Sequence, residues 1–170
     1  MIKNTFDTNP IAFDVTLRDG SYLNNFNFSP TFTNYYLKEI NKLDIKYCEI
    51  GHGLGVGAYR NNFSKSKISD IKFVKVINSL NIKTKVGFFA QPRFLNDWDI
   101  AEIINSKIDF IRLGVLPQHF KYLYKPIELL LKNKKEVFVF FMQTPTDTPS
   151  LLKKKLKIFV KILTSKISIL

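Results

Sequence analysis

Arg18 and Asp19 stand side by side where an apolar run, Ile11 to Leu17, breaks off, and Gly20 follows them. A carboxylate so placed is a hard oxygen ligand suited to Mg²⁺ or Mn²⁺, and an adjacent guanidinium can hold a substrate carboxylate or a developing enolate through paired hydrogen bonds. Together the two groups suit carbanion chemistry beside a carbonyl. The same pair could equally be an ion pair or cap that stabilises a turn, because such pairs are common in loops. Glu49, near the end of the next apolar run, could orient Arg18 or face solvent from a strand. Arg112 lies within an apolar run, and since a guanidinium keeps its charge on burial it must meet a carboxylate or line a wet cavity. An interior ion pair is the favoured reading.

The glycine-rich stretch GHGLGVG, Gly51 to Gly57, fits neither GxGxxG nor a P-loop ending in Lys-Ser/Thr, so dinucleotide binding is weakly supported. Its glycines let a wide loop pass close to a ligand, or simply turn. His52 within it could be a ligand or general base, although a lone loop histidine is more often neither. His119, after Pro117 and Gln118, reads as helping to open a helix. Further polar residues, Gln91, Arg93, Gln143 and Thr144, follow later apolar runs.

These groups need elements to position them. Five runs rich in β-branched and aromatic residues, at 11–17, 46–50, 83–90, 109–115 and 136–143, alternate with segments of helical period at 31–43, 66–80, 95–106, 120–133 and 149–165. Ser29-Pro30 and Thr148-Pro149-Ser150 announce the first and last helices. The final KISIL reads as a sixth strand beginning. Strands alternating with helices predict an α/β chain with a parallel sheet, either doubly wound or an arc of a (β/α)₈ barrel, and in both the site lies at the carboxyl ends of the strands. The pattern alone hardly separates the two.

The chain has 170 residues and 45% hydrophobic content, which suits one domain with a sizeable core. The single cysteine, Cys48, excludes an intramolecular disulfide and a cysteine-based zinc cluster. No run reaches membrane-span length and the N-terminus lacks a signal-peptide layout, so a cytoplasmic location is expected. A net charge of +12 favours anionic partners, yet most of it is lysine spread through Asn-, Ile- and Phe-rich sequence, as A- and T-rich codons would produce. The densest cluster, LLKKKLKIFVKIL at 151–163, reads as a solvated helix face, with a membrane-surface helix as the lesser reading. No RNA-binding signature accompanies the charge.

DVTLRDGSY, Asp14 to Tyr22, and CEIGHGLG, Cys48 to Gly55, resemble the HMGL-like, or DRE-TIM, metal-dependent aldolase superfamily with its pyruvate carboxyltransferase-type domain, and 4-hydroxy-2-oxovalerate aldolase most closely. GSYLNNFNFS further resembles aldolase-like proteins of bacterial surface-polysaccharide biosynthesis. The resemblance implies a partial TIM (β/α)₈ barrel over residues 1–170, about five βα units plus the start of a sixth strand, incomplete at its C-terminus. It implies Asp19 as ligand to Mn²⁺ or Mg²⁺, Arg18 as stabiliser of a pyruvate enolate, Glu49 as the strand-two acid, and Thr144 beside the substrate carboxylate. Tyr22 stands where those aldolases have a histidine base; a phenol titrates near pH 10, which puts that role in doubt. The family's His-x-His metal ligands are absent, the two histidines being His52 and His119.

The expected function is lyase-type C–C bond cleavage or formation on a small 2-oxo acid through a pyruvate-like enolate, with Arg18, Tyr22 and Glu49 in the chemistry and Arg18, Thr144 and His52 binding substrate. Another chain could supply the rest of the barrel. The alternatives are a truncated, catalytically inactive relic and, third, a basic nucleic-acid or lipid-binding module.

Overall fold

The computed structural model describes residues 11–61, 64–144 and 147–167. Five strands, β1 (Phe13–Asp14), β2 (Tyr47–Ile50), β3 (Lys85–Ala90), β4 (Phe110–Val115) and β5 (Glu136–Phe141), form one parallel sheet in the order β1-β2-β3-β4-β5. A doubly wound sheet reverses direction at a switch point, and this one never does. The order therefore settles what the sequence pattern left open: the chain is an α/β partial barrel.

Side chains show how far the sheet curls. In a flat sheet, β1 and β5 would lie about 19 Å apart at ordinary strand spacing. Yet the Phe13 and Phe138 rings meet with centroids 5.4 Å apart, and both contact Tyr47 and Phe110 at 5.0 to 5.6 Å. The two outer strands bend towards each other around this aromatic plug. Gly87 makes it possible, because a Cβ there would strike the Phe110 ring.

The alternate strand residues face outward. Cys48, Ile50, Val86, Phe88, Ile111 and Leu113 join helix residues such as Leu37, Phe73, Ile77, Ile103 and Leu130 in the hydrophobic core. Those helices are α2 (Pro30–Lys42), α3 (Asp70–Ser79), α4 (Asp97–Ile104) and α5 (Tyr124–Lys132). Ser29 caps α2, its hydroxyl accepting from Phe32 N–H at 3.1 Å with Pro30 behind it, as the sequence announces. The last helix, α6 (Pro149–Ile167), docks through Phe159, which is 5% exposed and packs on Phe120, Tyr124 and Phe141. Among the described residues no helix is long and apolar enough to cross a membrane.

Three expectations need correction. The first strand is not 11–17 but two residues long, because the Asp14 carboxylate accepts from the Thr16 backbone N–H and hydroxyl and turns the chain into a short helix, α1 (Thr16–Gly20). The third helix begins at Asp70 instead of 66, since the Ser66 hydroxyl donates to the Phe26 carbonyl and accepts from Ile68 N–H, holding a loop. The sixth strand expected at KISIL is helical at its first two residues, Lys166 and Ile167, and its other three lie outside the described residues.

Candidate active site

Arg18 and Asp19 lie on α1, immediately beyond β1, with Asp19 N–H closing the helical turn onto the Val15 carbonyl at 2.8 Å. Glu49 points inward from β2 and is 0% exposed. An isolated carboxylate there would be costly, so what surrounds it matters. Arg112 on β4 donates to it through Nε at 2.8 Å and through a second guanidinium nitrogen, and Arg18 donates through Nε at 2.9 Å. One buried carboxylate thus fixes two guanidinium groups.

Phe89 from β3 completes the seat. Its ring lies under both cations, 4.9 Å from the Arg18 guanidinium carbon and 5.0 Å from that of Arg112. Gly114 opposite must lack a side chain, since a Cβ would run into this ring. Arg18 also pairs with Asp19, whose side chain is 54% exposed. The interior ion pair read for Arg112 is therefore present, and Glu49 does orient Arg18.

Above this seat opens a cavity of about 1070 Å³, with Arg18, Tyr22, Phe89, Gln91, Arg93, His119 and Gln143 among its lining residues. It lies where the carboxyl ends of the strands converge. A smaller cavity of about 470 Å³ opens at the opposite end of the sheet, around Thr84, Asp109 and Lys135. Tyr22 sits on a 3₁₀ turn, Ser21–Asn24, with its ring against Phe26 and over Gly53, where a Cβ would come within 2.7 Å of it. Burial raises its phenol above the ordinary value despite the nearby Arg18, so at neutral pH the hydroxyl keeps its proton and can donate it.

His52 and Thr144 are placed elsewhere. His52 is buried, stacked on Phe26 at 3.9 Å; Leu54 N–H donates to its Nδ1 at 3.1 Å, and its Nε2 lies 2.7 Å from the Ser64 carbonyl. A carbonyl only accepts, so Nε2 carries the proton and the ring is a neutral tautomer that braces the loop. Burial lowers its pKa accordingly. Thr144 is half-buried, its carbonyl accepts from Asp147 N–H at 3.0 Å, and neither it nor His52 lines the cavity.

The glycine-rich loop is anchored from below. Gly57, at φ +80°, donates its N–H to Asp70 at 2.7 Å, while the carboxylate of Asp99 holds Arg60 through two hydrogen bonds. Gln91 ties the loop to the cavity wall by donating to the Leu54 carbonyl at 2.9 Å. Turning is what the glycines do.

The divalent ion implied at Asp19 finds little company. Among the described residues no three His, Cys, Asp or Glu side chains gather to hold a metal ion, and the Asp19 carboxylate is engaged by Arg18. One hard oxygen falls short of the several that Mg²⁺ or Mn²⁺ takes. These residues do not by themselves make a metal site.

Sequence reasoning missed Phe89 and the far wall of the cavity, which His119, Lys121 and Tyr122 provide from a 3₁₀ segment, Pro117–Leu123, that precedes α5. A helix was expected there from 120, and His119 does lie in its helical lead-in. Phe89 carried no signal, being one aromatic in an apolar run.

No family model matches the chain. A protein named oxaloacetate decarboxylase from Mycobacterium tuberculosis (strain ATCC 25618 / H37Rv) is 35% identical over 57 residues, which are 34% of this chain and 17% of that protein. The crystal structure of the N-terminal domain of a Bacteroides vulgatus protein designated an aldolase is similar in fold, with a TM-score of 0.61 and 22% identity. It is matched over 92% of this chain, which spans 60% of that one. The resemblance to the aldolase superfamily thus stands on a partial sequence likeness and on a shared fold.

Proposed function

We propose that this chain carries the enolate-stabilising side of an aldolase- or decarboxylase-type site for a small 2-oxo acid. The supporting observation is the seat of Arg18: a guanidinium held in place by a buried carboxylate and an aromatic face, in a residue that lines a large cavity. A donor fixed before the reaction stabilises developing negative charge without reorganising, which is where such sites gain most.

The chemistry follows from that placement. Cleaving the bond between C3 and C4 of a 2-oxo acid sends its electron pair to the carbonyl oxygen, giving the enolate of pyruvate. Arg18 takes the developing oxyanion or the adjacent carboxylate. Tyr22, which keeps its proton, supplies it through the hydroxyl to C3 as the enolate collapses. Loss of CO₂ from a 4-carboxylate and retro-aldol loss of an aldehyde share this enolate. Decarboxylation needs no base, and Tyr22 as a proton donor favours it.

Mg²⁺ or Mn²⁺ at Asp19 would require ligands besides those described, so no step here is assigned to it. The outer edge of β5, which pairs only with β4 among the described residues, and Phe140, 44% exposed, offer further βα units a surface to join, whether on this chain or another. A place in surface-polysaccharide biosynthesis rests on the GSYLNNFNFS resemblance.

Exchange of the pyruvate methyl protons in D₂O, followed by NMR with and without added Mg²⁺, tests the reading. Catalysed exchange by the wild type that Arg18→Ala abolishes is expected. Exchange no faster than buffer would return the chain to the reading of an inactive relic, and catalysed exchange equal in both proteins would remove Arg18 from the chemistry.

A further inference from the structure

The cavity is larger and more positive than a three-carbon acid requires. Its volume of about 1070 Å³ lies just above the ~300–1,000 Å³ range that holds drug-sized ligands. Arg18, Arg93, Lys121 and Lys125 line it, against a single lining carboxylate, Asp97. Asp97 is already taken, accepting from Lys125 Nζ at 2.7 Å. Arg18 is compensated by Glu49 and Asp19.

Arg93 and Lys121 remain. Each rests on an aromatic face, the Arg93 guanidinium carbon 4.6 Å from the centroid of Phe94 and Lys121 Nζ 5.2 Å from that of Tyr122. An aromatic seat positions a cation without neutralising it. Arg93 also acts electrostatically on Tyr22, which places it within range of the reacting end of the cavity.

We propose that Arg93 and Lys121 form a second anion subsite, so that the ligand of this cavity carries a phosphate or carboxylate on the fragment beyond the 2-oxo acid. The inference deepens the proposed function, and rests on it only for the statement that the remaining part of the ligand is a 2-oxo acid. The subsite itself rests on two lining cations that form no ion pair among the described residues.

Calorimetric titration of the full chain separates the two. Glycerol 3-phosphate and 4-hydroxybutyrate serve as unreactive anionic probes, 1,4-butanediol as the neutral one and pyruvate as the 2-oxo acid. At low ionic strength at least one anionic probe is expected to bind tenfold or more tightly than butanediol, and the stronger of the two identifies phosphate or carboxylate as the group recognised. The Arg93→Ala/Lys121→Ala double variant should erase that preference, whereas Arg18→Ala should keep it. Lys153→Ala/Lys157→Ala, on α6 away from the cavity wall, controls for general basicity and should also keep it. Equal binding of anionic and neutral probes overturns the subsite, as does a preference that survives the double variant or falls equally in the α6 control. Pyruvate binding that ignores Arg18→Ala overturns the functional reading instead.

Discussion

Glu49 and Asp70 are both buried carboxylates, and they are treated in opposite ways. Glu49 is 0% exposed and is gripped by two arginines, 31 and 63 residues away in sequence. Asp70 is 6% exposed, accepts one backbone N–H from Gly57 through one oxygen, and has no hydrogen-bond partner for the other. Burial pushes its carboxyl up to about 7, with the amide of Gly57 and the charge of Arg60 opposing and Asp99 adding to the rise. Burial alone therefore does not decide what a carboxylate does in this fold; counter-charge does. Glu49, deep inside the barrel, is met by two guanidinium groups. Where only a loop must be held, a carboxyl that can accept a proton suffices.

That contrast can be broken by experiment. Glu49→Gln leaves two guanidinium groups facing a neutral amide, and we expect a loss of about 3–5 kcal/mol in urea unfolding together with loss of Arg18-dependent pyruvate binding. A variant as stable as the wild type would mean that the arginines find other compensation and the contrast is empty.

Asp70→Asn should act in the other direction and only at higher pH. The unfolded chain releases the Asp70 proton near the ordinary value of 3.8, whereas the folded chain holds it up to about 7. The resulting contribution to stability is complete below about pH 4 and is lost as the pH rises through about 7. Asparagine carries no such term and can still accept from Gly57. Relative to wild type it should gain on the order of 2 to 4 kcal/mol between pH 4 and pH 8. Parallel pH–stability curves would refute the assignment.

Gly114→Ala sharpens the comparison at the Glu49 end. The new methyl group must displace the Phe89 ring beneath both arginines, and overpacking of this kind costs about 1–3 kcal/mol. Because the ring seats Arg18, the variant should weaken pyruvate binding as well. Unchanged binding would show that Glu49 suffices without the ring.

Tyr22→Phe has the smallest expected effect on the fold, within about 0.5 kcal/mol, since the side chain is 48% exposed. Its effect on proton delivery should be about a hundredfold or more in the methyl-exchange rate. Equal loss of stability and rate would reassign Tyr22 to packing against Phe26 and Gly53.

The linear sequence determined a good deal. Alternating β-branched runs and helical periods fix the βα rhythm, because strand and helix expose side chains at different intervals. TLRDG and EIGHG name Arg18, Asp19 and Glu49, and an arginine inside an apolar run announces a buried partner. Local chemistry misled it at Asp14, whose side chain competes with the strand for the Thr16 N–H and shortens β1 to two residues, and at Ser66, whose hydroxyl holds a loop where a helix was expected. The tertiary structure alone decided the rest. Strand order, and with it barrel over doubly wound sheet, depends on how successive crossovers pack, which no single segment encodes. The choice of Glu49 as the carboxylate for Arg112, the place of Phe89 beneath both cations, and the removal of His52 from the cavity to a bracing role all depend on contacts between segments. Residue type says which partner a group requires. Only the curl of the sheet brings one within reach.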